Sequence, residues 1–84
     1  MNRADVYALI DLERAAQTAK WSDPHPWGVG DCSSSQVRTP TKVMVLTEEV
    51  GEVARAVLDG DEGQLRRELV QVAAVAVAWL EGMQ

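Results

Sequence analysis

Between Leu69 and Leu80 apolar side chains fall on almost every face of a helical run, with Val70, Val72, Val75, Val77, Trp79 and Leu80 pointing in too many directions for one neighbour to cover. Such a helix must be surrounded. In a chain of 84 residues two other helices cannot supply the whole envelope, because a chain this short leaves much of its surface exposed when it folds. The expectation is an all-α protein, an antiparallel helical bundle completed by dimerisation, with two-fold symmetry as the default. The run is too short to span a bilayer and contains Gln71. The opening Met-Asn-Arg-Ala-Asp-Val-Tyr lacks the long apolar core of a signal peptide. A soluble, cytoplasmic protein with no membrane partner is therefore expected. Cys32, the lone cysteine, excludes an intrachain disulfide and fits a reducing compartment.

The chain reads as a single domain over 1–84. Val6, Leu9, Ile10 and Leu12 at helical spacing predict a first helix over about 4–20, with Asn2 as its N-cap and Asp5 in its first turn. From Trp21 to Thr39 the composition turns to Trp, Ser, Asp, Pro, His and Gly, and neither helical nor strand period survives, so 21–39 is expected to be a long loop. Thr39-Pro40 reads as N-cap and first residue of a second helix over 40–58, with an apolar stripe of Val43, Leu46, Val50, Val53, Ala54 and Val57. Asp59-Gly60 stops it. Asp61-Glu62-Gly63-Gln64 resembles a capping box opening a third helix over 62–81.

Glu49-Val-Gly-Glu52 and Glu68-Leu-Val-Gln71 place oxygen ligands in pairs three residues apart, each pair on one helix face. Acidic groups stacked this way repel one another unless a cation compensates. The short turn between the second and third helices makes them antiparallel neighbours and sets the two pairs at similar height. Three carboxylates and one amide can then converge on a hard cation, Mg²⁺ or Mn²⁺. With 8 basic against 13 acidic side chains and a net charge of −5, a broad basic face for polymeric nucleic acid is excluded. Small charged substrates remain open if a metal mediates.

Leu46-Thr47-Glu48-Glu49-Val50-Gly51-Glu52-Val53-Ala54, followed by Glu68-Leu69-Val70-Gln71, resembles the ExxE…ExxD pattern of the MazG-like all-α nucleoside triphosphate pyrophosphohydrolases. Gln17, Lys20-Trp21 and Trp27-Gly28 sit where such chains carry a Gln-x-x-Lys-Trp-Gly-like segment. The likeness covers nearly the whole chain, and its specific part is the double pair. It implies hydrolysis of an NTP or dNTP to the monophosphate and pyrophosphate, with Mg²⁺ held by helical carboxylates in a homodimer or tetramer. The chain departs from the pattern at Gln71, which stands where Asp is usual and leaves the site one charge short.

The residues suit that reaction. Glu49, Glu52 and Glu68 are the candidate metal ligands, with Gln71 as a fourth, and Glu48, Glu49 and Glu52 the candidate catalytic carboxylates, Glu48 as base for a water. Lys20, Arg38 and Lys42 are candidates for phosphate contacts and Trp21 and Trp27 for stacking on a base. His25, between Pro24 and Pro26 with no second histidine, is expected to be exposed and inert. Cys32 reads as a spectator, Trp79 as core packing, and Gly28-Val29-Gly30 lacks the third glycine and lysine of a phosphate loop. The alternative is a non-catalytic helical dimer of the same fold, a binding or regulatory module, which Gln71 favours.

Overall fold

Helix α1 (Arg3–Lys20) opens on a reciprocal cap, in which Asn2 Oδ1 accepts from the Asp5 N–H at 2.9 Å and the Asp5 carboxylate accepts from the Asn2 N–H at 3.4 Å. Both donors lie in the first turn, where the helix has no partner for them. The fold is taken from a computed structural model and is described for residues 1–83. It is all-helical: α2 (Thr39–Asp59) and α3 (Glu62–Glu81) follow, and no strand occurs among the described residues.

Helix α2 begins one residue earlier than Thr39-Pro40 predicts. Arg38 is its N-cap and makes no side-chain capping bond, and Pro40 falls within the first turn, where a missing N–H costs nothing. Gly60 ends it at φ 68°, the left-handed conformation that glycine adopts without penalty. Asp61 caps α3 by accepting from the Gln64 N–H at 3.0 Å. The return arm of the expected box is not made. The Gln64 amide nitrogen instead donates to Glu68 and its oxygen accepts from Arg67 at 2.8 Å. A buried carboxylate one turn ahead is a stronger partner for the amide than an exposed backbone N–H.

The short Gly60–Asp61 connection folds α3 back antiparallel to α2. Helix α1 also packs on α3 and runs parallel to it: Val6, Leu9 and Ile10 share a groove with Leu65, Leu69 and Ala73, and Arg14 reaches Glu81. Helix α3 is thus the central element, and it touches both others through small residues. Ala74 and Ala78 are fully buried, with Val75 beside them and Ile10, Val37 and Ala56 closing the core. Among the described residues no large side chain is completely enclosed. Leu69 and Leu80 of α3 remain 52% and 65% exposed, so one chain supplies only part of the envelope that the apolar run calls for.

The apolar stripe expected on α2 divides between two faces. Leu46 and Val53 turn inward, while Val43, Val50, Ala54 and Val57 face outward.

The 21–38 segment has no helix or strand, yet its backbone is closely tied. His25 and Gly28 exchange N–H···O bonds of 2.8 and 3.0 Å, and the Gly30 N–H donates to the Trp21 carbonyl at 3.0 Å. Gly28 has φ 134°, and a Cβ there would run into the Gln36 carbonyl. At the other end of the segment, the Ser33 carbonyl would lie 2.5 Å from a Cβ on Gly82, so the end of α3 admits the loop only because Gly82 has no side chain.

One buried side chain joins α1, the loop and the end of α3. Arg14 forks Glu81 through Nε and Nη2 at 3.0 and 3.1 Å and donates from Nη1 to Asp31 at 2.8 Å. Asp31 in turn accepts from the Ser33 N–H at 2.9 Å and from the Ser33 and Thr18 hydroxyls. Burial pushes the Asp31 carboxyl up, but the hydrogen bonds from Ser33 and Arg14 outweigh it and hold the group well below the usual carboxylate range. The two carboxylates keep the Arg14 guanidinium charged against its own burial.

Candidate metal and ligand site

A cleft of about 360 Å³ opens between α1 and α2. Gln71 and Val75 of α3 contribute to its lining, and Trp21, His25 and Trp27 of the loop contribute an aromatic part. The acidic part comes from α2: Glu48, Glu49 and Glu52 line the cleft, and Glu68 of α3 lies beside them.

Carboxylate oxygens of Glu49, Glu52 and Glu68 lie within 4.8 Å of one another. Helical spacing brings Glu49 and Glu52 onto one face of α2, and the antiparallel packing of α3 delivers Glu68 opposite them. Glu68 is 4% exposed. Its Oε1 is bonded by the Gln64 amide, whereas its Oε2, like Glu49 Oε2, is buried with no hydrogen-bond partner. Unpartnered carboxylate oxygens inside a protein are costly. Two of them on members of a cluster of three acids make a donor set that fits a divalent cation preferring oxygen ligands.

The electrostatics agree with that fit. Burial first, and then the charges of Glu52 and Glu68, push the Glu49 carboxyl up to about 7. Contact with the Glu68 carboxylate, followed by burial, also raises Glu52. These acids therefore compete for protons in the absence of a cation.

The structure brings most of the predicted residues together. Glu48, Glu49, Glu52 and Gln71 line the cleft, as do Lys20, Trp21 and Trp27, and Glu68 joins the carboxylate cluster. Lys20 lies with Nζ 4.9 Å above the Trp21 ring and is close enough to Glu52 to oppose the rise in its pKa. Trp21 and Trp27 stand with ring centroids 5.2 Å apart. Arg38 and Lys42 are not part of the cleft. Arg38 is exposed at the start of α2, and Lys42 is buried near Cys32, whose thiol feels its charge.

His25 departs from expectation. It is half-buried, lines the cleft and organises the loop: its Nε2 donates to the Gly30 carbonyl at 2.7 Å, and Nδ1 accepts from the Trp27 N–H at 3.3 Å. A carbonyl only accepts, which fixes the proton on Nε2. Cys32 packs with Val75 and Ala78 in the core, and its burial raises the thiol pKa. Gln17, which the sequence marks only as part of the Gln-x-x-Lys-Trp-Gly-like segment, and Asp31, to which the sequence reading assigns no role, both line the cleft. Among known proteins, no family model, no curated protein and no solved structure matches the chain.

Proposed function

We propose that this protein is a Mg²⁺-dependent nucleoside triphosphate pyrophosphohydrolase, converting an NTP or dNTP and water to the monophosphate and pyrophosphate. The observation that carries this reading is the convergence of Glu49, Glu52 and Glu68 with two buried, unpartnered carboxylate oxygens at the edge of a cleft that also holds aromatic rings. In this reading Glu49, Glu52 and Glu68 hold the cation, with Gln71 lending a carbonyl oxygen. A bound Mg²⁺ supplies the positive charge that an acidic cleft needs to accept a triphosphate. Mn²⁺ is an acceptable substitute.

Glu48, at the cleft beside these ligands, orients and deprotonates the attacking water. Lys20 contacts a phosphate oxygen, and the base stacks on Trp21 or Trp27. A cytoplasmic setting goes with this chemistry. The active form is a homodimer or a pair of dimers. Support comes from the unfilled envelope of α3 and from the outward face of α2, where Val43, Thr47, Val50, Ala54 and Val57 form an uncharged seam of alternating four- and three-residue steps.

Release of pyrophosphate from a panel of NTPs and dNTPs, with and without Mg²⁺, tests the proposal. The expected result is metal-dependent release that Glu52→Gln abolishes with little change in folding. Equal release by wild type and Glu52→Gln would overturn it, and silence across the panel would leave the non-catalytic binding module as the better reading.

A further inference from the structure

Gln17 lies on the cleft side of α1, three residues before Lys20 and four before Trp21, both of which share that lining. Its Oε1 accepts from Arg14 Nη1 at 3.0 Å. A guanidinium only donates, so the oxygen of the Gln17 amide must face Arg14 and the nitrogen must face away. Arg14 has little freedom to release it, because Nε and Nη2 are committed to Glu81 and Nη1 also holds Asp31. Among the described residues the Gln17 amide nitrogen donates to no protein acceptor, and it is not a buried orphan. Two N–H donors of fixed sense therefore stand on a residue of the cleft wall.

The surroundings decide what they meet. Glu13, one turn earlier on the same helix, and Asp31 also line this part of the cleft. Their charges disfavour phosphate oxygens. Trp21, His25 and Trp27 offer aromatic faces for a base beside them. We propose that Gln17 is a specificity-determining residue whose amide N–H donates to a carbonyl oxygen on the base of the bound nucleotide, with Arg14 as the positioning residue that sets the sense of the amide. The identity of the ligand rests on the hydrolase reading; the orientation of the amide does not.

Gln17→Glu keeps the shape and the bond from Arg14 but has no N–H, and Gln17→Met removes the donors without adding charge. With Mg²⁺ present, each is expected to raise KM for UTP, CTP and GTP about fivefold, the worth of one neutral hydrogen bond. The KM for ATP, whose base has no carbonyl, and all four kcat values should stay unchanged. A rise shared equally by ATP in Gln17→Met, or no rise for any nucleotide, would overturn the proposal. Quenching of Trp fluorescence by the same four nucleotides keeps the two readings apart. Wild type that binds without turnover would sink hydrolysis and leave the base-selective loss in Gln17→Met to decide this inference, and no quenching by any nucleotide would overturn both.

Discussion

A carboxyl group that titrates near neutrality advertises an unmet charge, and Glu49, raised to about 7 by burial and by Glu52 and Glu68, is such a group. An unfolded glutamate loses its proton at about pH 4.3. Between roughly that pH and 7 the folded, metal-free protein holds a proton that the unfolded chain has released, so its stability falls as pH rises through this window and levels off above it. In EDTA the thermal midpoint should be lower at pH 8 than at pH 5. Added Mg²⁺ should restore it at pH 8, and at pH 6 binding should release protons that calorimetry in buffers of different ionisation enthalpy detects. A midpoint that rises from pH 5 to pH 8 in EDTA would contradict the proton assignment. Asp31 acts in a separate window: its depressed carboxyl contributes stability that is lost only as pH falls below the ordinary aspartate range.

At the level of elements, Arg14 ties the loop to α1 and to the end of α3. Arg14→Ala would strand the Asp31 side chain, which is 6% exposed, without its counter-charge. Breaking such a pair costs about 3 kcal/mol, which should lower the midpoint by about 10 °C or more in a domain of this size. A fall of only a degree or two would show that the loop is anchored by other contacts. Local signals made the helices legible: Asn2 and Asp5 announce the start of α1, Gly60 the end of α2, and the Glu49–Glu52 spacing places both acids on one face. The loop was not legible in the same way. The Arg14 partners lie 17 and 67 residues away, beyond any periodicity, and His25 gains its role only when the chain returns at Gly28 and Gly30. Asp31-Cys32-Ser33 carried the local sign, an aspartate able to bond a backbone N–H two residues on. Gln64 was misassigned because its local cap competes with Glu68, whose burial is a tertiary fact.

At the scale of the whole molecule, the core is built from alanines and short side chains, while Val43, Met44, Val50, Val57 and Leu58 of α2 stay exposed. Gly51 lies within that face, and a Cβ there would meet nothing in the chain. An open glycine inside a helix costs about 1 kcal/mol relative to alanine, a cost that close approach of a second copy would offset in the proposed dimer. If the proposed dimer forms through this face, wild type should sediment as a dimer and Val50→Glu as a folded monomer; a wild-type monomer, or an unchanged sedimentation coefficient in the variant, would contradict it. The proposed hydrolase requires that Glu49, Glu52 and Glu68 hold a divalent cation. Titration of Mg²⁺ into wild type and Glu68→Gln at pH 8, followed by calorimetry, tests this most directly. The account predicts saturable binding that weakens at least about tenfold in the variant, a loss of about 1.4 kcal/mol, with helicity retained. Absent binding in wild type, or equal binding in both, would contradict it.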